Sequence, residues 1–517
     1  MVDIENKKAR KFGFIVALTF VIGSFIGIGV FFKNGGISNA VDGQSISWLS
    51  AWILGGLVSL FGAISFSDIS KLKVGKITGI TSWAQQLGNK KFGYFVGFNW
   101  SFFYWGIWTT VLGVFASEVF WTFISLLGVD ISWIQIYHHI IFGFIISWFY
   151  IFISYLSPMI ANYTSIITVA LKIIPLIIAI VVGIVFFNNN DTNAVPTASN
   201  AFETNPGFSL DKVILASPGV LFAYDGFVSI GTMRKKMKNN GKQLPLVIMS
   251  GITIVAIFYT LIAIASILHN TGSVENLIKA SLSNSSSWVA PFTYFFIFIS
   301  TIGLINGNCA FTLNDFDNAV DVGLIFGSSY LKKRILSNHK NADFARKTRA
   351  VILIFLVNIF WSFFVFVPSL IYKTDDFVDG ASNWPTVFFF NIYALIMIFY
   401  LYQKIWGKLK PVDIKKVTKK YWIYIFVTII AILLIMVIEF GLLYKYFYDG
   451  IINSFASNPW EGFFSNPGYY NPNNIVQLSF YLFFLFLFLT LPYLNLFLIK
   501  KVERREIINK LHELSFG

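Results

Sequence analysis

The residues able to do chemistry in this 517-residue chain are few, and they sit inside apolar runs rather than in polar loops. Lys172 stands in Ala170-Leu171-Lys172-Ile173-Ile174-Pro175-Leu176, roughly twelve residues into its run, or about 18 Å at 1.5 Å per residue. That depth defeats easy snorkelling, and a lysine at the centre of a membrane span costs roughly 3 kcal/mol on insertion scales. A cation held there is a candidate for proton exchange, against the plainer reading of a structural ion pair or helix cap.

Two further runs carry backbone rather than side-chain chemistry. Gly23-Ser24-Phe25-Ile26-Gly27-Ile28-Gly29 places glycines close together near the middle of the first run. In the sixth, Ser217-Pro218-Gly219 precedes Phe222-Ala223-Tyr224-Asp225-Gly226-Phe227. Glycine weakens a helix and proline removes a backbone donor, so both segments are expected to unwind. Exposed amides and carbonyls are tolerated in a bilayer only where they line a cavity or are buried in protein. The end of a half-helix can then hold a carboxylate or an ammonium group, so the pair suits a zwitterion. Gly23-x-x-x-Gly27 alone would read as close helix packing; the second break, five helices later, favours a site. The two breaks are expected to face each other across a cavity.

No enzyme constellation accompanies them. The five histidines, His138, His139, His269, His339 and His512, fall at run ends, in loops or in the tail, and the single Cys309 builds neither a disulfide nor a cysteine metal site. No cofactor is implied. Glu118 and Glu439 lie nearer run ends and read as interfacial.

The elements that must position these residues are membrane helices. The chain is 56% hydrophobic and 12% charged, against roughly one quarter charged in soluble domains. Apolar runs long enough to span a bilayer occur at 12–32, 46–66, 93–127, 136–156, 160–187, 212–231, 245–268, 289–312, 350–371, 385–402, 421–444 and 475–499. The first follows Lys7, Lys8, Arg10 and Lys11 and has no small-residue cleavage site, so it reads as a helix rather than a signal peptide. The third is long enough to tilt or to include an interfacial turn. The net charge of +14 suggests nucleic acid until its position is considered. Most lysines and arginines fall in clusters at 7–11, 71–91, 234–242, 332–349, 404–420 and 500–510, all on one side if the N-terminus is cytoplasmic. The charge is topogenic, the partner is a lipid bilayer, and both termini are expected in the cytoplasm. The longest outer loop, around 454–474, is polar.

Together these residues resemble the amino acid-polyamine-organocation superfamily, whose amino acid permeases share the LeuT-type fold. Residues 22–32 resemble its glycine-rich first-helix stretch, 222–227 its sixth-helix stretch and 170–176 its fifth-helix lysine segment, while Asn306-Gly307 matches a pair in the eighth. The resemblance implies an all-α membrane protein of about twelve helices, with a five-plus-five inverted repeat, broken first and sixth helices and two extra C-terminal helices. The corresponding division is a tail at 1–11, repeats at 12–187 and 188–402, two helices at 403–499 and a tail at 500–517. It implies a secondary transporter moving amino acids across the plasma membrane by alternating access, by proton symport or exchange. Amides around Gly27, Ile28 and Gly29 would receive the substrate carboxylate; carbonyls of Phe25, Phe222, Ala223 and Asp225 would receive its amino group; the Phe222 ring would gate the site. Lys172 would stand where relatives bind sodium, making transport sodium-independent. Ile28, Phe222 and Phe227 favour a neutral or aromatic substrate, whereas Asp225 keeps cationic amino acids and polyamines as alternatives. A six-plus-six transporter, a membrane sensor and a membrane enzyme are the rival readings.

Four positions depart from the family pattern. Lys235 and Lys236 stand where acidic residues are usual, Asp68 replaces glutamate at the end of the second helix, 73–81 lacks the usual Pro and Gly-Gly turn, and Thr312-Leu313-Asn314-Asp315 follows the eighth helix in place of an arginine.

Overall fold

The computed structural model describes residues 13–26, 29–73, 75–185, 200–238, 240–272, 274, 277–278, 288–331, 342–406, 421–456 and 473–516. The basic stretches at 7–11, 332–340 and 407–420, and most of the polar loop at 454–474, lie outside them.

With no water in a bilayer core to satisfy amides, the apolar runs close their hydrogen bonds within themselves as helices. The first span is split into α1 (Phe14–Phe25), a π turn at Gly29–Lys33 and α2 (Asn34–Ala40). α3 (Ser45–Ile69) returns, and a short α4 (Ile80–Leu87) occupies what the sequence reads as loop. α5 (Lys90–Leu126) includes a π turn at Trp100–Trp105. α6 (Ile136–Leu156) and α7 (Pro158–Val185) follow. After α8 (Ala201–Thr204), the sixth span is broken into α9 (Leu210–Leu215), α10 (Ser217–Tyr224) and a 3-10 helix at Ser229–Lys236. α11 (Asn240–Leu268), α12 (Val289–Val322), α13 (Ala342–Tyr372), α14 (Asp376–Ile405), α15 (Tyr421–Ile452) and α16 (Asn474–Lys501) are continuous. α17 (Ile508–Phe516) docks at the end of the tail.

Among the described residues ten helices are long and apolar enough to cross a membrane. With the two interrupted spans this gives the expected twelve. The expected ends were short in several places. α12 runs on to Val322, so Thr312-Leu313-Asn314-Asp315 lies inside the helix rather than after it. α5 and α14 are the most enclosed spans, whereas α6, α7, α15 and α16 present residues such as Ile145, Phe149, Ile167, Phe440 and Phe486 outward. The polar positions of α5 and α14 therefore face protein, and these two helices frame the site.

Candidate functional site

In the first span the helix ends because Ile26 turns to extended backbone, with φ −70° and ψ 102°. In the sixth, Asp225 is extended at φ −77° and ψ 158°, and Gly226 follows at φ 108°, where L side chains are strained. The breaks thus sit where glycine chemistry places them. The two breaks come together at Gly29, where an added Cβ would lie 2.8 Å from Ala223 Cα and Cβ. Glycine at 29 is what allows that approach. Gly27 and Ile28 lie outside the described residues, and of the three expected amide donors Gly29 alone lies within them.

Lys172, fully buried in α7, reaches the broken end of α1. Its Nζ donates to Gly23 O at 2.9 Å and to Ile26 O. Ser300 Oγ of α12 lies 3.5 Å from the same Ile26 oxygen, and a Cβ at Gly303 of α12 would come within 3.3 Å of Lys172 Cε. The ammonium is therefore wedged between the first and eighth spans, against carbonyls that the helix end leaves unpaired. Phe25 O, an expected ammonium acceptor, already accepts from Tyr259 Oη at 2.8 Å.

The Phe222 ring stacks on Trp108 of α5 with centroids 5.0 Å apart and planes 9° off parallel. Lys33 Nζ stands 4.9 Å from the other ring's partner, the Phe222 centroid itself, and donates to Asp379 Oδ1 of α14. Both charged side chains are about 1% exposed. Lys33 and Asp379 thus join the end of the first broken span to α14, above Phe222. Removing one partner of a buried ion pair costs about 3–5 kcal/mol, because the other charge is stranded. Lys33→Met is expected to lower the melting temperature in detergent, and Lys33→Met with Asp379→Leu to recover it. Equal melting temperatures for wild type and Lys33→Met would remove the pair as a stabilising contact.

The Asp225 carboxylate is the common acceptor of four hydrogen bonds. Tyr104 Oη, Thr386 Oγ1, Tyr393 Oη and the Gly226 amide all donate to its carboxylate, at 2.8, 3.0, 3.2 and 2.7 Å. Tyr104 comes from the π turn of α5, a local register shift of the kind frequent at functional sites. On α14, Asp379, Thr386, Tyr393 and Tyr400 recur every seventh residue and so share one face. Each serves a different level: Asp379 holds Lys33, Thr386 and Tyr393 hold Asp225, and Tyr400 with Lys404 holds Asp68 at the end of α3. Lys71 also donates to Asp68, at 3.0 Å. Sequence reasoning singled out Asp225 and Asp68 but missed Tyr104, Trp108 and the α14 face, although polar residues every seventh position in an apolar run were a usable signal.

A family model described as amino acid permease matches residues 12–445. The chain belongs to the amino acid permease family. This permease is 28% identical over 312 residues to a serine/threonine exchanger of Bacillus subtilis, covering 59% of this chain and 66% of the relative. It is 29% identical over 164 residues to the b(0,+)-type amino acid transporter 1 of Mus musculus, covering 30% and 32%. It is 23% identical over 275 residues to a glutamate/serine transporter of B. subtilis, covering 51% and 48%. The chain therefore spans no more than about two thirds of the length of these relatives. Ten apolar helices and this membership make the permease a multi-pass membrane protein.

Glu118 and Glu439 are buried within the permease, 3% and 9% exposed, and the helices run on past them. Glu439 Oε2 accepts from Asn391 of α14 at 2.7 Å, in the middle of α15. Glu118 borders an outer cavity of about 470 Å³ together with Trp121, His139, Lys373 and Asp375. The Lys235 and Lys236 side chains lie outside the described ones.

Proposed function

We propose that this chain is a secondary transporter moving neutral amino acids across the plasma membrane by alternating access, without sodium, by exchange or proton symport. The reading rests above all on the Lys172 ammonium lying against the carbonyls at the broken end of α1. A fixed cation there supplies the charge that a sodium ion would otherwise bring to a broken helix end. The termini and basic loops face the cytoplasm. Residues 12–187 and 188–402 act as the two repeats, and 403–499 supplies two further helices.

The substrate carboxylate is received by amides of Gly27, Ile28 and Gly29, and its ammonium by carbonyls of Phe222, Ala223 and Asp225, with Phe25 O shared with Tyr259. The side chain lies near Phe222 and Trp108. A neutral substrate is favoured because four donors already hold the Asp225 carboxylate, which leaves it a poor counter-charge for a lysine or polyamine. Serine, named in two of the relatives, is the first substrate to try.

Uptake of a panel of labelled amino acids into proteoliposomes, with and without internal amino acid, tests the reading. Exchange of a neutral amino acid in choline medium is the expected result; accumulation of none of the panel would end it. Phe222→Ala, which removes both the Trp108 stack and the ring beneath Lys33, is expected to raise the apparent KM about tenfold with little change in expression. An unchanged KM and rate would take Phe222 out of the site.

A further inference from the structure

The π turn at Trp100–Trp105 serves two buried carboxylates, and their surroundings differ. Tyr104 donates to Asp225, which has four donors in all. Ser101 donates to Asp315 Oδ2 of α12, and it is the one donor to Asp315 among the described residues. An ionised carboxylate offers about four acceptor positions. Asp225 fills them; Asp315, 6% exposed, does not.

Four of the cations on the elements around α12 have partners other than Asp315, and the Lys235 and Lys236 side chains lie outside the described ones. α12 packs on α1, α5, α6, α7, α13 and the 3-10 helix of the sixth span. Lys172 of α7 holds carbonyls of α1. Arg346 of α13 pairs with Asp317 and Asp321, Arg349 donates to Ala345 O, and Arg234 of the 3-10 helix donates to Leu72 O. Glu118 of α5 and His139 of α6 border the outer cavity, Asp225 in the break before the 3-10 helix has its four donors, and the Asp343 side chain of α13 lies outside the described ones. Among the described residues Asp315 joins no ion pair. A metal cation would want about six oxygens, whereas one hydroxyl meets this carboxylate.

We propose that Asp315 is a proton-binding group of this permease, taking up a proton and releasing it toward the basic face once per transport cycle. The inference rests on the transport reading above. Ser101 is built to serve both forms. With Asp315 ionised, the Ser101 hydroxyl donates to Oδ2; with Asp315 protonated, the new O–H donates to Ser101 Oγ, whose own hydrogen turns to Gly97 O at 3.3 Å. One proton is gained or lost, the Ser101 hydrogen rotates, and every heavy atom stays in place. Asp315 stands seven residues before the end of α12 at Val322, about 10 Å along the axis. α12 also packs against the 3-10 helix of the sixth span, and a shift of that helix on opening to the basic face would give the carboxyl access to water.

The test uses the full-length protein in proteoliposomes holding a trapped pH-sensitive dye. Labelled serine, or whichever panel member is exchanged, is added outside without internal amino acid. Wild type is expected to acidify the lumen on substrate addition. Asp315→Asn, a neutral mimic of the protonated acid, is expected to lose this flux about tenfold or more while serine-for-serine exchange stays within about threefold. Asp315→Glu is expected to keep both. Wild-type exchange without any substrate-linked proton movement overturns the proposal and leaves the transport reading standing. Proton movement retained in Asp315→Asn, or exchange lost in Asp315→Asn and Asp315→Glu alike, also overturns it, the latter by making the residue structural. Absence of transport of every panel member by wild type sinks the transport reading itself.

Discussion

Lys172→Ala is expected to lower amino acid exchange about thirtyfold or more, while replacing sodium by choline leaves wild-type transport unchanged within about twofold. The size follows from the contacts. A hydrogen bond from a charged donor contributes about 1.5–3 kcal/mol, and one such loss in the competent state already reduces its population about tenfold or more. Lys172 makes two, to Gly23 O and Ile26 O, in a fully buried position. Deleting the side chain also leaves a void between α1 and α12, so packing and charge must be separated. Lys172→Met fills most of the volume without donating. Transport lost equally in the methionine and alanine variants, with both reaching the membrane, assigns the effect to the ammonium; recovery in the methionine variant assigns it to packing. Strict sodium dependence of wild type would refute the idea that the lysine takes the place of a sodium ion.

The sequence was most informative where chemistry is local. An apolar run declares a span by itself, and Gly226 or Ile26–Gly29 marks a break because the backbone there cannot hold a helix as well as its neighbours can. Lys172 was visible for the same reason: a charge in an apolar run has few explanations. Partners were not visible. Lys33 and Asp379 are 346 positions apart and Tyr104 and Asp225 are 121 apart, so nothing local ties them together. Lys33 follows the first apolar run directly, and nothing in its neighbourhood announces that it is buried against Asp379. Glu439 and Asp315 share one feature: each belongs to a helix that continues beyond its apolar run, to Ile452 and Val322, so Asp315 is helical where the run had already ended. Ends supported by side-chain and tertiary contacts carry no strong hydropathy, which is why α4 and α17 were read as loop and tail.

Asp225→Ala is expected to be the most destabilising of the site substitutions, with purified protein melting well below wild type and exchange lost. The carboxylate is the common acceptor of Tyr104, Thr386, Tyr393 and the Gly226 amide, and it therefore ties the π turn of α5 and the middle of α14 to the break in the sixth span. Removing it strands four buried donors at about 1–3 kcal/mol each, less whatever water can enter to meet them. Asp225→Asn preserves the shape and one acceptor oxygen but turns an amide group toward donors, so it should fall between alanine and wild type. Tyr393→Phe removes a single neutral-to-charged bond and should cost about 1.5–3 kcal/mol at most, since three donors remain. The expected order of melting temperatures is wild type, Tyr393→Phe, Asp225→Asn, Asp225→Ala. The same variants separate a structural anion from a substrate counter-charge. If Asp225 fixes the break, Asp225→Asn changes stability and the rate for all substrates together. If it instead meets a cationic substrate, Asp225→Asn will melt like wild type and will selectively lose competition by lysine or a diamine, and in that case the neutral-substrate reading fails with it.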